Sequence, residues 1–215
     1  MENREKLAVD IDDTIIQFLP DFLQWHNRVH KTGFTPKDFT SYRWWETLGV
    51  SKQQAYEKAE EYIEHRTRWY GVDLQYAHME IHFDPEAEKA LMFLGKRYEC
   101  YGITDKSLAL EDETFEISSL LYFDELERRG RDGLVLPFDR VHHTRDESGD
   151  RIYTKDQVCK KLGITKIIDD NPDVAEECSA VGIQVYMPAK PWNETYPASP
   201  TVFRAPWKAI CKMLK

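Results

Sequence analysis

Three carboxylates, Asp10, Asp12 and Asp13, stand within four residues, directly after the short apolar run Leu7-Ala8-Val9. Carboxylates this close repel one another, and their pKa values rise unless a cation or hydrogen-bond donors keep them ionised. A hard cation such as Mg2+, which prefers oxygen ligands, would meet that need. An acidic turn with no chemistry is the alternative that spacing alone leaves open. Either way, something must hold the three acids together. Leu7 to Val9 reads as a buried strand, because the run is short, contains a β-branched residue and carries no turn signal. In an open parallel sheet, the carboxyl end of such a strand opens on the crevice where ligands bind.

Composition narrows the partners. The 215 residues suit one core domain plus an insertion, enough to bury a core without staples. The formal net charge of -9 argues against a duplex nucleic-acid partner, which requires clustered Lys and Arg, although a small anion could still bind in a local positive pocket. No stretch approaches the roughly 20 apolar residues of a membrane span. The charged start, Met1 to Lys6, is unlike a signal peptide. A soluble, cytoplasmic protein without a membrane partner is therefore expected, and a homodimer is left open. Cys100, Cys159, Cys178 and Cys211 are widely spaced, which predicts reduced thiols rather than a zinc site or disulfides.

The remaining elements follow in order. Ile15, Phe18, Leu19, Phe22 and Trp25 have helical spacing, with Pro20 expected to begin the regular part. A loop at 32–36 precedes an aromatic-dense segment, Asp38 to Glu46, which could be a stacking platform or plain apolar packing. Ser51-Lys52-Gln53-Gln54 is a capping box that opens a helix with Ala55, Ala59, Tyr62 and Ile63 on one side. Asp84-Pro85 starts another helix, and strand 2 ends at Thr104. A helix-rich segment at 108–129, a turn at 130–133 and strand 3 at 138–143 follow. A second capping box, Thr154-Lys155-Asp156-Gln157, turns Val158 and Leu162 inward. Strand 4, Lys166 to Ile168, delivers Asp169 and Asp170. Asn171-Pro172 caps a helix, 183–186 reads as strand 5, 188–200 as surface loop, and 207–214 as a closing helix.

The pattern apolar-apolar-Asp10-x-Asp12-x-Thr14 resembles the first motif of the haloacid dehalogenase (HAD) superfamily. That superfamily also uses a Thr or Ser ending a second strand, then a Lys, then a pair of acids, and Thr104, Lys155 and Asp169-Asp170 occur in that order. The resemblance implies an α/β fold: a Rossmann-like parallel sheet flanked by helices over residues 1–16 and 81–215, with a small helical cap, 17–80, inserted after strand 1. It implies Asp10 as nucleophile and Asp12 as general acid and base. It also implies Mg2+ bound by Asp10, the carbonyl of Asp12 and one of the last pair. Asp170 is the first choice there, with Asp169 holding Lys155 or a metal-bound water.

Physical reasoning supports some of these roles independently. A strand-terminal Thr104 could donate its hydroxyl to a phosphoryl oxygen, although Asp105-Lys106-Ser107 follows where the family commonly has a small residue. Lys155 stands at the first position of a capped helix, where the macrodipole disfavours a cation. An anion there removes the conflict, so Lys155→Ala is expected to cost activity but little stability. Lys106 is the competing lysine, whereas Lys160, Lys161 and Lys166 read as solvated. His142 and His143 are adjacent on a strand and read as structural. Within the superfamily the chain looks like the 5′(3′)-deoxyribonucleotidase group, which has a short helical cap, a closing Asp-Asp and an aromatic eight residues after the nucleophile, here Phe18. Trp44 and Trp45 stand where aromatics covering a nucleobase would be expected. Asp13 departs from the Gly usual in that turn. The resemblance thus implies a Mg2+-dependent phosphomonoesterase whose partner is a small-molecule phosphate ester, a nucleoside monophosphate. Another small ester or a phosphoprotein is the alternative, and a non-catalytic binding protein on the same scaffold is a third reading.

Overall fold

Alternation along a single strand organises the core. In the computed structural model, which describes residues 4–70, 82–108, 140–197 and 199–215, β1 (Glu5–Val9) is buried on both faces. Leu7 and Val9 pack on one side with Leu91, Leu94, Trp207 and Ile210. Ala8 packs on the other with Val158, Cys159, Val174 and Cys178. Each fully buried aliphatic side chain of this kind contributes about 1.5–3 kcal/mol. A strand covered on both faces carries no polar alternation, which is why the run reads as continuously apolar.

β1 pairs in parallel with β2 (Tyr98–Ser107) on one side and β4 (Lys166–Ile168) on the other. β3 (Arg140–Arg145), β5 (Gln184–Pro188) and β6 (Val202–Ala205) extend the sheet to the order β3-β2-β1-β4-β5-β6, with every pairing parallel. The helices that flank it are α4 (Pro85–Leu94), α5 (Lys155–Leu162), α6 (Pro172–Ala180) and α7 (Trp207–Met213). Asp84 caps α4 by accepting from the N–H groups of Glu86 and Ala87, and Asn171 caps α6 by accepting from Asp173. The chain has the α/β, Rossmann-like architecture that the sequence implied.

Between β1 and α4 lie α1 (Phe18–His30), α2 (Trp44–Leu48) and α3 (Lys52–Tyr70). They share an apolar cluster of Leu19, Phe22, Leu23, Trp25, Phe39, Tyr62 and Ile63. Ala55 and Ala59 are buried on the same α3 face, and the Ser51/Gln54 box forms in both directions. α1 begins at Phe18 rather than Pro20. The proline falls in the first turn, where its missing N–H has no intrahelical partner to lose.

Several boundaries move. β2 continues to Ser107 with a register shift after Thr104, so the strand carries three more residues into the site than expected. β3 ends at Arg145 instead of His143, and its expected start at 138, the helix-rich 109–129 and the turn at 130–133 lie outside the described residues, as does the end of the helical insertion from 71. β6 was not anticipated. The stretch read as surface loop holds a short 3-10 turn, Pro191–Asn193, whose Trp192 and Asn193 are 7% and 1% exposed. Proline density signals irregular backbone, not exposure, and here the turn is tied down by side-chain hydrogen bonds. All four cysteines are free thiols, three of them buried. Among the described residues no helix is long and apolar enough to cross a membrane.

Candidate active site

Strand order reverses between β1 and β4: the chain runs outward from β1 through β2 to β3, then returns to β4 beside β1. Loops diverge at such a switch point and leave a crevice at the carboxyl ends of the strands. Asp10 follows β1 and Asp169-Asp170 follow β4, and the Asp10 amide donates to the Ile168 carbonyl at 2.9 Å. Oxygens of Asp10, Asp169 and Asp170 lie within 4.8 Å of one another, and all three residues are buried.

A lysine bridges two of these three acids. Lys155, 2% exposed, donates through Nζ to Asp10 Oδ1 at 2.5 Å and to Asp169 Oδ2 at 2.8 Å. The capping box places it at the start of α5: the Thr154 amide donates to the Gln157 side chain, and the hydroxyl of Thr154 accepts from the backbone in return. Burial opposes the charged ammonium, but Asp10, Asp169 and Asp105 outweigh it and hold the lysine pKa well above its usual value. Lys155 thus faces anions at the helix start, as the sequence reading expected, but it is buried among them, so the expected indifference of stability to its removal no longer holds.

The acids still outnumber their cation. Burial, aided by Asp169 and Asp12 and opposed by Lys155, pushes Asp10 up to about 8. Asp169 and Asp170 are each raised to about 6, again chiefly by burial. Such a set would hold a proton at neutral pH unless further positive charge arrived. Three converging buried carboxylates with oxygen-only donors fit a hard divalent ion. His142 and His143 are not part of this cluster. His142 stacks on Tyr101 with 6.1 Å between centroids, and His143 Nδ1 lies 3.2 Å from the Lys106 carbonyl.

Asp12 is set apart from the cluster. Its side chain is 27% exposed; Thr104 Oγ1 donates to its Oδ2 at 3.3 Å and Lys106 Nζ lies 3.1 Å from its Oδ1. Thr104 is fully buried, with its hydroxyl turned to Asp12 instead of the open cavity, which β2 lines with Asp105, Lys106 and Ser107. Asp105, the neighbour that looked awkward for a phosphate, accepts from the Thr144 hydroxyl. Burial would raise its pKa, but Lys155, that hydrogen bond, Arg151 and Arg145 together bring it below its usual value. Asp13 adopts φ +56°, the left-handed region, which explains why glycine is usual at this point of the turn. Asp tolerates it, and its Oδ1 accepts from the Leu19 amide at 2.9 Å, tying the acidic turn to α1.

The cavity above these groups measures about 550 Å³. Phe18, Trp44 and Trp45 all border it, but they are not equivalent. Phe18 stacks on Phe22 and meets Tyr62 edge-on at 5.8 Å. Trp44 meets Phe22 edge-on at 5.3 Å, so both also belong to the packing of the helical layer. Trp45 has Lys52 Nζ over its ring at 5.3 Å. Tyr42, Tyr56 and Trp192 line the same space and were not singled out from the sequence. Tyr42 fell within the aromatic-dense segment and could have been found there. Trp192, in a proline-rich loop, gave no signal.

The same fold occurs in known structures. A haloacid dehalogenase-like family hydrolase from Streptococcus pneumoniae superposes with a TM-score of 0.55 at 14% identity, covering 100% of both chains. The chain has the haloacid dehalogenase-like fold. A HAD phosphatase from Thermococcus onnurineus gives 0.55 at 15% identity over 98% of this chain and 97% of its own. A structure of YfnB from Bacillus subtilis bound to magnesium gives 0.52 at 13% identity over all of both chains. No family model and no curated protein matches the sequence. Within this fold the chain carries a buried Asp cluster at the switch point.

Proposed function

We propose that the protein is a Mg2+-dependent phosphomonoesterase, with residues 17–80 forming a cap over a core made of 1–16 and 81–215, and that its substrate is a nucleoside monophosphate. The observation that carries the catalytic reading is the division of labour among the acids. Asp10 is buried and clamped by Lys155, as suits a nucleophile, whereas the Asp12 side chain on the same cavity is 27% exposed against 7% for Asp10, as suits a group that exchanges protons with a leaving group and with water.

In the first step an Asp10 carboxylate oxygen attacks phosphorus, the bond to the ester oxygen breaks, and Asp12 gives its proton to the departing alcohol. In the second, Asp12 takes a proton from water, whose oxygen displaces Asp10 from phosphorus and yields inorganic phosphate. Lys155 holds Asp10 in position and offsets charge throughout, and Lys106 with Thr104 orients Asp12. Mg2+, bound by Asp10, the Asp12 carbonyl and Asp170, would neutralise the phosphoryl oxygens.

A cavity of about 550 Å³ has the volume of an ordinary small-molecule site and accommodates a nucleotide. Trp45 and Tyr56 supply faces on which a base could stack. One observation favours the other substrate class: Lys52 Nζ lies 5.3 Å from the Trp45 centroid and 5.7 Å from that of Tyr56, so a cation already engages both rings. A smaller phosphate ester would leave that arrangement intact. A phosphate-release panel of nucleoside monophosphates, sugar phosphates and a small aryl phosphate, with and without Mg2+, decides between them. Faster turnover of sugar phosphates would remove the nucleotide reading, and no release from any ester would remove the enzyme.

A further inference from the structure

We infer that Trp192 is a positioning residue for Asp170, and that its indole N–H sets the affinity of the acidic cluster for a divalent cation. The inference rests on the cation reading proposed above.

Trp192 Nε1 donates to Asp170 Oδ2 at 2.6 Å, while Thr14 Oγ1 donates to Asp170 Oδ1 at 2.9 Å. The Thr14 hydroxyl is shared with Asp10 Oδ2 at 3.2 Å, so the indole N–H is the donor committed to Asp170, and both carboxylate oxygens retain lone-pair capacity for an ion. An indole N–H can only donate, so it acts on the ionised carboxylate in the way that outer partners of metal ligands commonly do. The adjacent residue holds the backbone: Asn193 Nδ2 donates to the carbonyls of Asp170 and Pro188, both at 2.9 Å. The amide of Lys190 and Arg204 Nε donate to Asn193 Oδ1 in turn, at 2.9 and 2.8 Å. One three-residue turn therefore fixes the side chain and the main chain of Asp170 together.

The same indole is packed in the apolar cluster of the helical layer with Leu19 and Phe22. Its ring position follows α1 and its N–H follows Asp170, so the layer that covers the cavity and a cluster carboxylate are joined through one side chain. Packing alone would not require the hydrogen bond. A Trp in an apolar cluster satisfies its N–H wherever it can, but here the acceptor is an acid of the cation cluster.

The test is Mg2+ titration by isothermal calorimetry on the full chain, comparing wild type, Trp192→Phe and Trp192→His at pH 8. Phe keeps an apolar ring and loses the donor; His restores a ring N–H. Trp192→Phe should raise the Mg2+ Kd about 10- to 100-fold, with Trp192→His recovering much of that loss. Equal Mg2+ affinity in wild type and Trp192→Phe would overturn the inference and leave the cation reading standing. If Trp192→Phe fails to fold, Trp192→His decides alone: near wild-type affinity supports the donor, and affinity lost in a folded Trp192→His protein overturns it. No Mg2+ uptake by wild type would overturn the cation reading and the inference with it.

Discussion

Replacing Lys155 by Met keeps the side-chain length and removes the buried cation bonded to both Asp10 and Asp169. The variant leaves two buried carboxylates without that partner, and breaking a buried ion pair from one side costs about 3–5 kcal/mol. For a chain of this size each kcal/mol corresponds to about 2–4 °C in Tm, so a fall of roughly 6–20 °C is expected in Mg2+-free buffer. The sign of the pH dependence follows from the carboxylates. Loss of the lysine lets burial raise them further, and they take up protons as pH falls, so the deficit is larger at pH 8 than at pH 5. Urea melts in EDTA at both pH values measure this, and Lys155→Met/Asp169→Asn should recover part of the loss by removing one orphaned charge. A loss below about 1 kcal/mol at pH 8 would contradict the buried-pair geometry, since that is the scale of an exposed ion pair.

Stabilisation by Mg2+ should itself grow with pH. Asp10 is held at about 8 and Asp169 and Asp170 at about 6, so the folded apo protein binds more protons than the unfolded chain above pH 4; a cation competes with those protons and gains as they leave. A Mg2+-induced Tm shift no larger at pH 8 than at pH 5.5 would contradict this. Asp13→Gly should stay within about 1 kcal/mol of wild type, because glycine accepts φ +56° freely and replaces an acidic cap at small cost, whereas Asp13→Val should lose about 1–3 kcal/mol; urea melts in the reverse order would refute the conformational argument. Trp45→Ala should raise KM for nucleoside monophosphates by the equivalent of about 1–3 kcal/mol with little change in Tm. Phe18→Ala should instead lower Tm, since Phe18 is packed on Phe22 and Tyr62. Equal KM effects on nucleotide and aryl phosphate would deny Trp45 a role in base stacking.

What could be read in advance depended on how local the signal was. β1 announced itself through three apolar residues, and the capping residues Asp84, Gln157 and Asn171 marked helix starts because caps are settled by the nearest few side chains. The sequence order of Asp10, Thr104, Lys155 and Asp169-Asp170 was visible, but not the depth at which Lys155 is buried, since burial depends on what the rest of the chain lays over a position. Lys106 competes with Lys155 in the sequence, and the extension of β2 brings it to Asp12 instead of Asp10. β6 is four residues long and too short for a periodic signal. Trp192 was hidden by the prolines around it, and its contact with Asp170 spans 22 residues of chain. Asp13 is the instructive departure: a mismatch with the family pattern was plain, and only the backbone angle gave it a reason.

Asp10 as nucleophile is tested by acid quench during turnover of a hydrolysed ester, followed by peptide mass spectrometry. A phosphoryl group is expected on Asp10 in the wild-type protein, and neither that adduct nor phosphate release in a folded Asp10→Asn variant. Phosphate release at near wild-type rate by Asp10→Asn, or a phosphoryl group found on another residue, would contradict it.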